Sequence, residues 1–275
     1  MAAALLACTF SLRPIPLPSP SPQPRATNLP PATPVVAPSP PRDTGWQRAV
    51  PGVEVRQLRL TDQNGVPGFG QSRAPLTLVR LEPKHVRFRV LYAPARPRRV
   101  VSWAEQAEAL LVVNAGFFTE AGRATALVVS DGARWEQTYR GFGGMFAVAG
   151  EHVWLQSLAE QPYDPAQPLD QAVQSFPMLV KAGGVPGVTD GGDEVAPRTA
   201  IAMDRDGRVL VLVSPTPTFT LRDLASFLID SDLDVDVALN LDGGTSTGLW
   251  LKAGGLAVEL DSVASVPAVI AVQPR

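Results

Sequence analysis

Val235-Asp236-Val237-Ala238-Leu239-Asn240-Leu241-Asp242-Gly243-Gly244-Thr245-Ser246-Thr247-Gly248-Leu249-Trp250-Leu251 reads as a strand, a loop and a second strand. The run 235–241 is apolar enough for a buried strand, and apolar residues resume over 248–252. Between them one carboxylate, Asp242, enters a loop of two glycines and three hydroxyls. Glycines admit a ligand close to the backbone, and small hydroxyls donate hydrogen bonds without filling a pocket. Asp-Gly-Gly is equally good turn chemistry, so the stretch alone fits a plain connection as well as a site.

Outward from this point the chain is dominated by short strands. Residues 53–60 alternate apolar and polar, and 76–81 and 86–92 behave alike, so the folded part opens with antiparallel strands. A capping box, Ser102 with Glu105, predicts a helix starting at Ser102, with Ala104, Ala107 and Leu111 on one face. Strands are predicted at 111–114, 126–130, 145–149, 153–156, 178–181, 208–213 and 268–272. A second helix fits 221–230, capped by Thr220, with Leu221, Leu224, Ala225 and Leu228 as its apolar stripe. Many strands and two or three helices predict an α+β fold: a large mixed or antiparallel twisted sheet with the helices packed against it.

Composition narrows the function. The chain has 275 residues, 45 % of them apolar, which is enough for a substantial core. A net charge of −2 without a long basic run argues against nucleic-acid binding; Arg96, Arg98 and Arg99 form only a short, proline-interrupted cluster. With Cys8 the sole cysteine and His85 and His152 the only histidines, a Cys/His metal site or Cys–His nucleophile is disfavoured.

The amino-terminal part is a different material. Leu5-Leu6-Ala7-Cys8 resembles a bacterial lipobox, with Cys8 as the lipidated residue, so 1–8 reads as the remnant of a signal peptide. From Pro14 to Pro41 about a dozen prolines alternate with Ser, Ala and Thr, a composition that favours an extended tether over a packed core. The expected organisation is therefore a lipobox over 1–8, a Pro-rich tether over 9–45 and a folded domain over 46–275. Membrane association is expected only through that lipid anchor, and the location is extracytoplasmic.

Three further segments end an apolar strand at polar or glycine residues. They are Val113-Asn114-Ala115-Gly116-Phe117-Phe118 with Val128-Val129-Ser130-Asp131-Gly132, then Ser175-Phe176-Pro177-Met178, then Ala196-Pro197-Arg198-Thr199-Ala200-Ile201. An arginine at the mouth of a buried strand is costly unless it meets an anion, either a ligand or a structural partner such as Glu194 or Asp204. The ordered set Asn-Ala-Gly-Phe-Phe, Val-Val-Ser-Asp-Gly, Pro-Arg-Thr-Ala-Ile-Ala and Asn-Leu-Asp-Gly-Gly-Thr-Ser-Thr resembles the phosphodiester glycosidase family over roughly 103–272. The family pattern has Asn-Gly-Gly where this chain has Asn114-Ala115-Gly116, and a third glycine where it has Thr245.

The resemblance implies removal of a sugar joined through its anomeric carbon to a phosphodiester, in cell-envelope or exopolysaccharide metabolism. Phosphate is a good leaving group, so such a site needs anion stabilisation and one carboxylate more than the paired acids of ordinary glycosidases. Arg198 suits the phosphate, and Thr199, Thr245, Ser246 and the Gly243 and Gly244 amides would line the anion site. Asp242 is the expected nucleophile or base, Asp131 a second acid candidate that also fits a hairpin turn. Asn114, Gly116 and Phe117 are expected to contact substrate, with Phe117 and Phe118 as a wall for the sugar ring. No cofactor is required on this reading; a calcium or magnesium ion held by aspartates and carbonyls stays open, with no ligand set assigned. The competing readings are a non-catalytic glycan-binding surface lipoprotein, in which Thr245 has cost the activity, and a phosphodiesterase cutting the P–O bond.

Overall fold

The structure is a computed structural model that describes residues 42–60, 75–190 and 193–275. The lipobox at Cys8 and nearly all of the Pro-rich tether lie outside the described residues. Strands, numbered β1 to β18 along the chain, make up 48 % of it and only two α-helices occur among the described residues, so the fold is mainly β.

The single large sheet expected from the sequence is three sheets. The first has eight strands in the order β1 (Gln47–Val50), β2 (Val53–Leu58), β3 (Leu76–Leu81), β14 (Val209–Phe219), β13 (Ala196–Asp204), β15 (Val235–Asn240), β11 (Met178–Lys181) and β12 (Val185–Pro186). The second orders β7 (Ala133–Trp135), β6 (Val128–Ser130), β10 (Gln171–Ser175), β8 (Gly144–Ala149) and β9 (His152–Ser157). The third orders β17 (Leu256–Leu260), β16 (Leu249–Ala253), β5 (Leu111–Asn114), β18 (Ala268–Pro274) and β4 (Val86–Tyr92). The recorded strand pairings are antiparallel throughout, which excludes the mixed-sheet alternative for the described residues.

Strand periodicity explains how the layers share one core. Along β3 and β14, Val79, Leu81, Val211 and Val213 face a central cluster that also takes Phe88 and Val90 of β4, Val113 of β5, Phe146 of β8 and Ile270 of β18. Their alternate neighbours Leu78, Leu210 and Leu212 face the opposite side, where the helix α2 (Leu221–Asp230) buries Leu224 and Leu228. A sheet buried on both faces needs apolar residues at every position, hence the unbroken Val-Leu-Val-Leu-Val of β14. Truncating a fully buried Leu212 to alanine would cost about 2–5 kcal/mol.

The helix ends show what local sequence encodes. α2 runs over the predicted residues, with the Thr220 hydroxyl accepting from the Asp223 amide at 3.0 Å. The helix α1 (Val100–Ala107) instead begins two residues before the Ser102 capping box, with no side-chain cap at Arg99. Its first amides donate to remote residues: Val100 N–H to the Ser262 hydroxyl at 3.1 Å and Val101 N–H to Asp261 Oδ1 at 3.0 Å. Free donors at a helix start can be satisfied from anywhere in the chain, and here the β17–β18 connection supplies both acceptors.

Candidate active site

Strand β15 belongs to the eight-stranded sheet, whereas β16 belongs to the third sheet, so the Asp242 loop is the crossing between them. The crossing is stitched on both sides. Leu241 N–H donates to the Thr199 carbonyl of β13 at 2.9 Å, and Asp242 N–H donates to the Ala115 carbonyl just beyond β5 at 3.0 Å. A 3₁₀ turn, Gly244–Ser246, follows, and Ala264 N–H donates to the Thr245 carbonyl at 2.8 Å.

The two glycines have separate reasons. A β-carbon on Gly243 would stand 2.8 Å from the Pro197 carbonyl oxygen, so only glycine allows β13 to approach. Gly244 has open space but a φ of 59°, a left-handed backbone that L-residues resist.

Within the loop the Asp242 carboxylate accepts from the Gly243 amide at 2.9 Å and from the Ser246 hydroxyl. Burial raises its pKa above the usual aspartate range, and those two hydrogen bonds only partly oppose the shift. The Gly243 N–H, expected to line the anion site, is thus taken by Asp242 itself. Ser246 is buried, and Thr245 is exposed. The family departure at Thr245 therefore leaves the carboxylate's own partners in place.

Asn114 corrects the expectation of substrate contact. It is 0 % exposed and spent on the protein: Nδ2 donates to the Asp242 carbonyl at 2.7 Å. Its Oδ1 accepts from the Thr199 hydroxyl at 2.8 Å and from Gly248 N–H at 3.1 Å. Asn114 and Thr199 brace both ends of the loop and hold the acid from behind. Gly116 is likewise a packing residue, since a β-carbon there would meet the Gln174 carbonyl oxygen at 2.5 Å.

Arg198 lies beside the same turn, its Cδ 3.9 Å from where a β-carbon of Gly243 would stand. Its Nε donates to the Phe219 carbonyl at 3.2 Å and Nη2 to the Glu194 carbonyl. Burial lowers its pKa, with the Glu194 charge opposing. No ion pair closes on it: Asp204 is paired to Arg208 at 2.6 Å, Glu194 acts on it only through its nearby charge, and among the described residues no carboxylate lies within ion-pair distance of Arg198. The half-buried guanidinium is thus held by carbonyl oxygens and not by a paired carboxylate.

Asp131 is not brought to this group. It sits in the β6–β7 turn with a φ of 49°, its carboxylate gripped by Arg89 at 2.5 Å and by Gln171 Nε2 at 2.7 Å. The Arg89 guanidinium holds its pKa below the ordinary carboxylate range. The hairpin reading of Ser-Asp-Gly is the one the structure adopts.

Phe117 and Phe118 part company. Phe118 packs with the apolar residues under α1, whereas the Phe117 ring lies 4.5 Å from that of Phe176. Tyr139 and Phe142 complete the group, at 5.7 and 6.0 Å from Phe176. Phe142 is 50 % and Phe176 38 % exposed, an unusual surface for aromatic rings. Sequence reasoning assigned no role to Tyr139, Phe142 or Phe176, nor to Asn240, which stands two residues before Asp242 and holds the Phe176–Pro177 backbone. Asn240 Nδ2 donates to the Phe176 carbonyl at 2.9 Å and its amide to the Pro177 carbonyl at 3.0 Å. The available signal was Phe176-Pro177 at a strand start, where an aromatic has no core to fill. Among the described residues no three His, Cys, Asp or Glu side chains converge as a metal-ligand set.

A sequence model of the phosphodiester glycosidase family matches residues 107–273, most of the domain just described. The chain belongs to the phosphodiester glycosidase family. The architecture agrees with solved structures at low identity. The zebrafish N-acetylglucosamine-1-phosphodiester alpha-N-acetylglucosaminidase catalytic domain, auto-inhibited by its pro-peptide, superposes with a TM-score of 0.64 at 18 % identity, over 86 % of this chain and 85 % of that one. A hypothetical protein from Synechocystis gives 0.56 at 18 % identity, covering 82 % of this chain and 62 % of its own. A putative exported protein from Burkholderia pseudomallei K96243 gives 0.50 at 14 % identity, covering 73 % and 74 %. None of the curated proteins matches this chain. These structures share the fold with the chain.

Proposed function

We propose that the protein hydrolyses a glycosyl-1-phosphodiester of the cell envelope or of an exopolysaccharide, outside the cytoplasm, releasing free sugar. The observation that carries this reading is Asp242: a half-buried carboxylate whose desolvation raises its pKa, held at a sheet crossing beside an arginine with no carboxylate within ion-pair distance among the described residues. A carboxyl group so placed accepts a proton nearer to neutral pH than an exposed aspartate does.

Arg198 binds the phosphate through its fork and stabilises the charge that grows on it in the transition state. Asp242 takes a proton from the attacking water. The water oxygen bonds to C1, the C1–O bond breaks, and its electron pair leaves with the phosphomonoester. With Asp131 held elsewhere, one carboxylate suffices because the leaving phosphate needs no proton. Water attack on the face opposite the phosphate inverts C1. Phe117, Phe142 and Phe176 offer ring faces to the apolar C–H side of the sugar.

The test is turnover of sugar-1-phosphodiesters, UDP-N-acetylglucosamine and teichoic-type polymers included, with products separated into free sugar and sugar-1-phosphate. Asp242→Asn and Arg198→Ala should each lower kcat/KM by about 100-fold or more while the unfolding transition persists. Normal turnover by both variants would falsify the assignment. Sugar-1-phosphate as product would instead mean P–O cleavage.

A further inference from the structure

A cleft of about 500 Å³ opens directly from the Asp242 loop, floored by Gly244, Thr245 and Thr247. Its walls are Pro197, Pro215, Leu260 and Val263, with no aromatic ring among them. Val263 is 77 % exposed, a large apolar side chain left at the rim. Among the described residues the one acid at the cleft is Asp261, engaged by Arg99 at 3.0 Å and by the Val101 amide at 3.0 Å, so its charge is compensated.

We propose that this cleft holds an aliphatic aglycone: the alkyl or prenyl group esterified to the phosphate on the side away from the sugar. The inference rests on the reaction assigned above and names its substrate class. Polar and aliphatic features are arranged in the order such a molecule requires. The phosphate lies at the loop end of the cleft, where Pro197 and Gly244 adjoin Arg198 and Gly243 in the chain. The tail runs between prolines and aliphatic side chains that offer a sugar neither stacking faces nor paired hydrogen-bond groups. Stacking faces lie instead in the Phe117–Phe176 group, which suits the sugar.

The test uses methyl, butyl and octyl phosphate as probes, below micelle-forming concentrations, titrated calorimetrically into the full chain. Affinity should rise about two- to fourfold per added methylene until the cleft is filled. Val263→Asp, a change at an exposed position whose folding is checked by thermal unfolding, should flatten that dependence and leave methyl phosphate binding unchanged. Arg198→Ala should weaken all three probes by a similar factor and keep the dependence. Equal affinity for methyl and octyl phosphate, no binding of any of the three, or tighter binding of glycerol phosphate than of butyl phosphate would each overturn the proposal, the last in favour of a polyol aglycone. Turnover is not read here, so loss of the chain-length dependence refutes only the aglycone, whereas normal activity in Asp242→Asn refutes the reaction.

Discussion

Replacing Asn114 with alanine tests the inference that this residue supports the catalytic loop and does not touch substrate. Three partners lose their bond at once: the Asp242 carbonyl at 2.7 Å, the Thr199 hydroxyl at 2.8 Å and the Gly248 amide at 3.1 Å. Asn114 is fully buried, so water does not replace it without opening the structure. At about 1 kcal/mol for each orphaned group, the low end of the range for buried polar atoms, the loss is about 3 kcal/mol. That is a large fraction of the stability of a domain this size and should lower Tm by roughly 6–12 °C. Equilibrium urea unfolding followed by tryptophan fluorescence gives the free energy directly. Thr199→Val removes one bond only and should cost about 1 kcal/mol. The double variant should be less destabilised than the two single losses together, because the valine no longer leaves a hydroxyl stranded. A loss below about 1 kcal/mol for Asn114→Ala, or strict additivity with Thr199→Val, would refute the bracing role.

Other perturbations separate the remaining assignments. Gly243→Ala forces a β-carbon against the Pro197 carbonyl and should destabilise the domain and abolish turnover; Gly244→Asn, at a left-handed but open position, should be tolerated better than Gly244→Val, as read from Tm and activity. The acid limb of kcat/KM should fall at a pH above the ordinary aspartate pKa, since burial raises Asp242 and its ionised form is the base; a limb at or below the ordinary value contradicts this. The same shift has a stability consequence: Asp242 favours the fold below its unfolded pKa, and that contribution disappears as pH rises through the raised value. Asp242→Asn should therefore unfold at a higher temperature than wild type at neutral pH. Asp131→Asn should keep full activity and cost no more than about 1 kcal/mol, because the Arg89 pair is half exposed. The depressed pKa of Asp131 means that this small contribution is present above the ordinary carboxylate range and is lost as pH falls through the depressed value.

Several features of the site were legible locally because their causes are local. The helix at Leu221–Asp230 declares itself by a Thr220 cap and a 3.6-residue stripe, and both ends of that pattern lie within the helix. Asp242 stands out because a strand delivers it to glycines and hydroxyls adjacent in sequence, and the same neighbours, Gly243 and Ser246, bind its carboxylate in the fold. The Ser102 capping box misled for the opposite reason: the acceptors used by α1 come from Asp261 and Ser262, about 160 residues away.

What the sequence by itself determined is most of the strands, though not β1, β7, β10, β12 or β17, together with the second helix, the loop that carries Asp242 and the family to which the chain belongs. Periodicity and turn chemistry express each segment's own backbone preferences, so they appear in any window of a dozen residues. Only the tertiary structure decided that the strands divide into three antiparallel sheets, since pairing partners are chosen by the burial of whole faces. It also decided which candidates meet. Asn114 and Thr199 converge behind Asp242 because β5 and β13 end on either side of the crossing from β15 to β16. Asp131 lies elsewhere because β6 and β7 carry it to Arg89. The aromatic group of Phe117, Tyr139, Phe142 and Phe176 is drawn from three separate stretches of chain, and no local pattern encodes a contact that exists only after the sheets have packed.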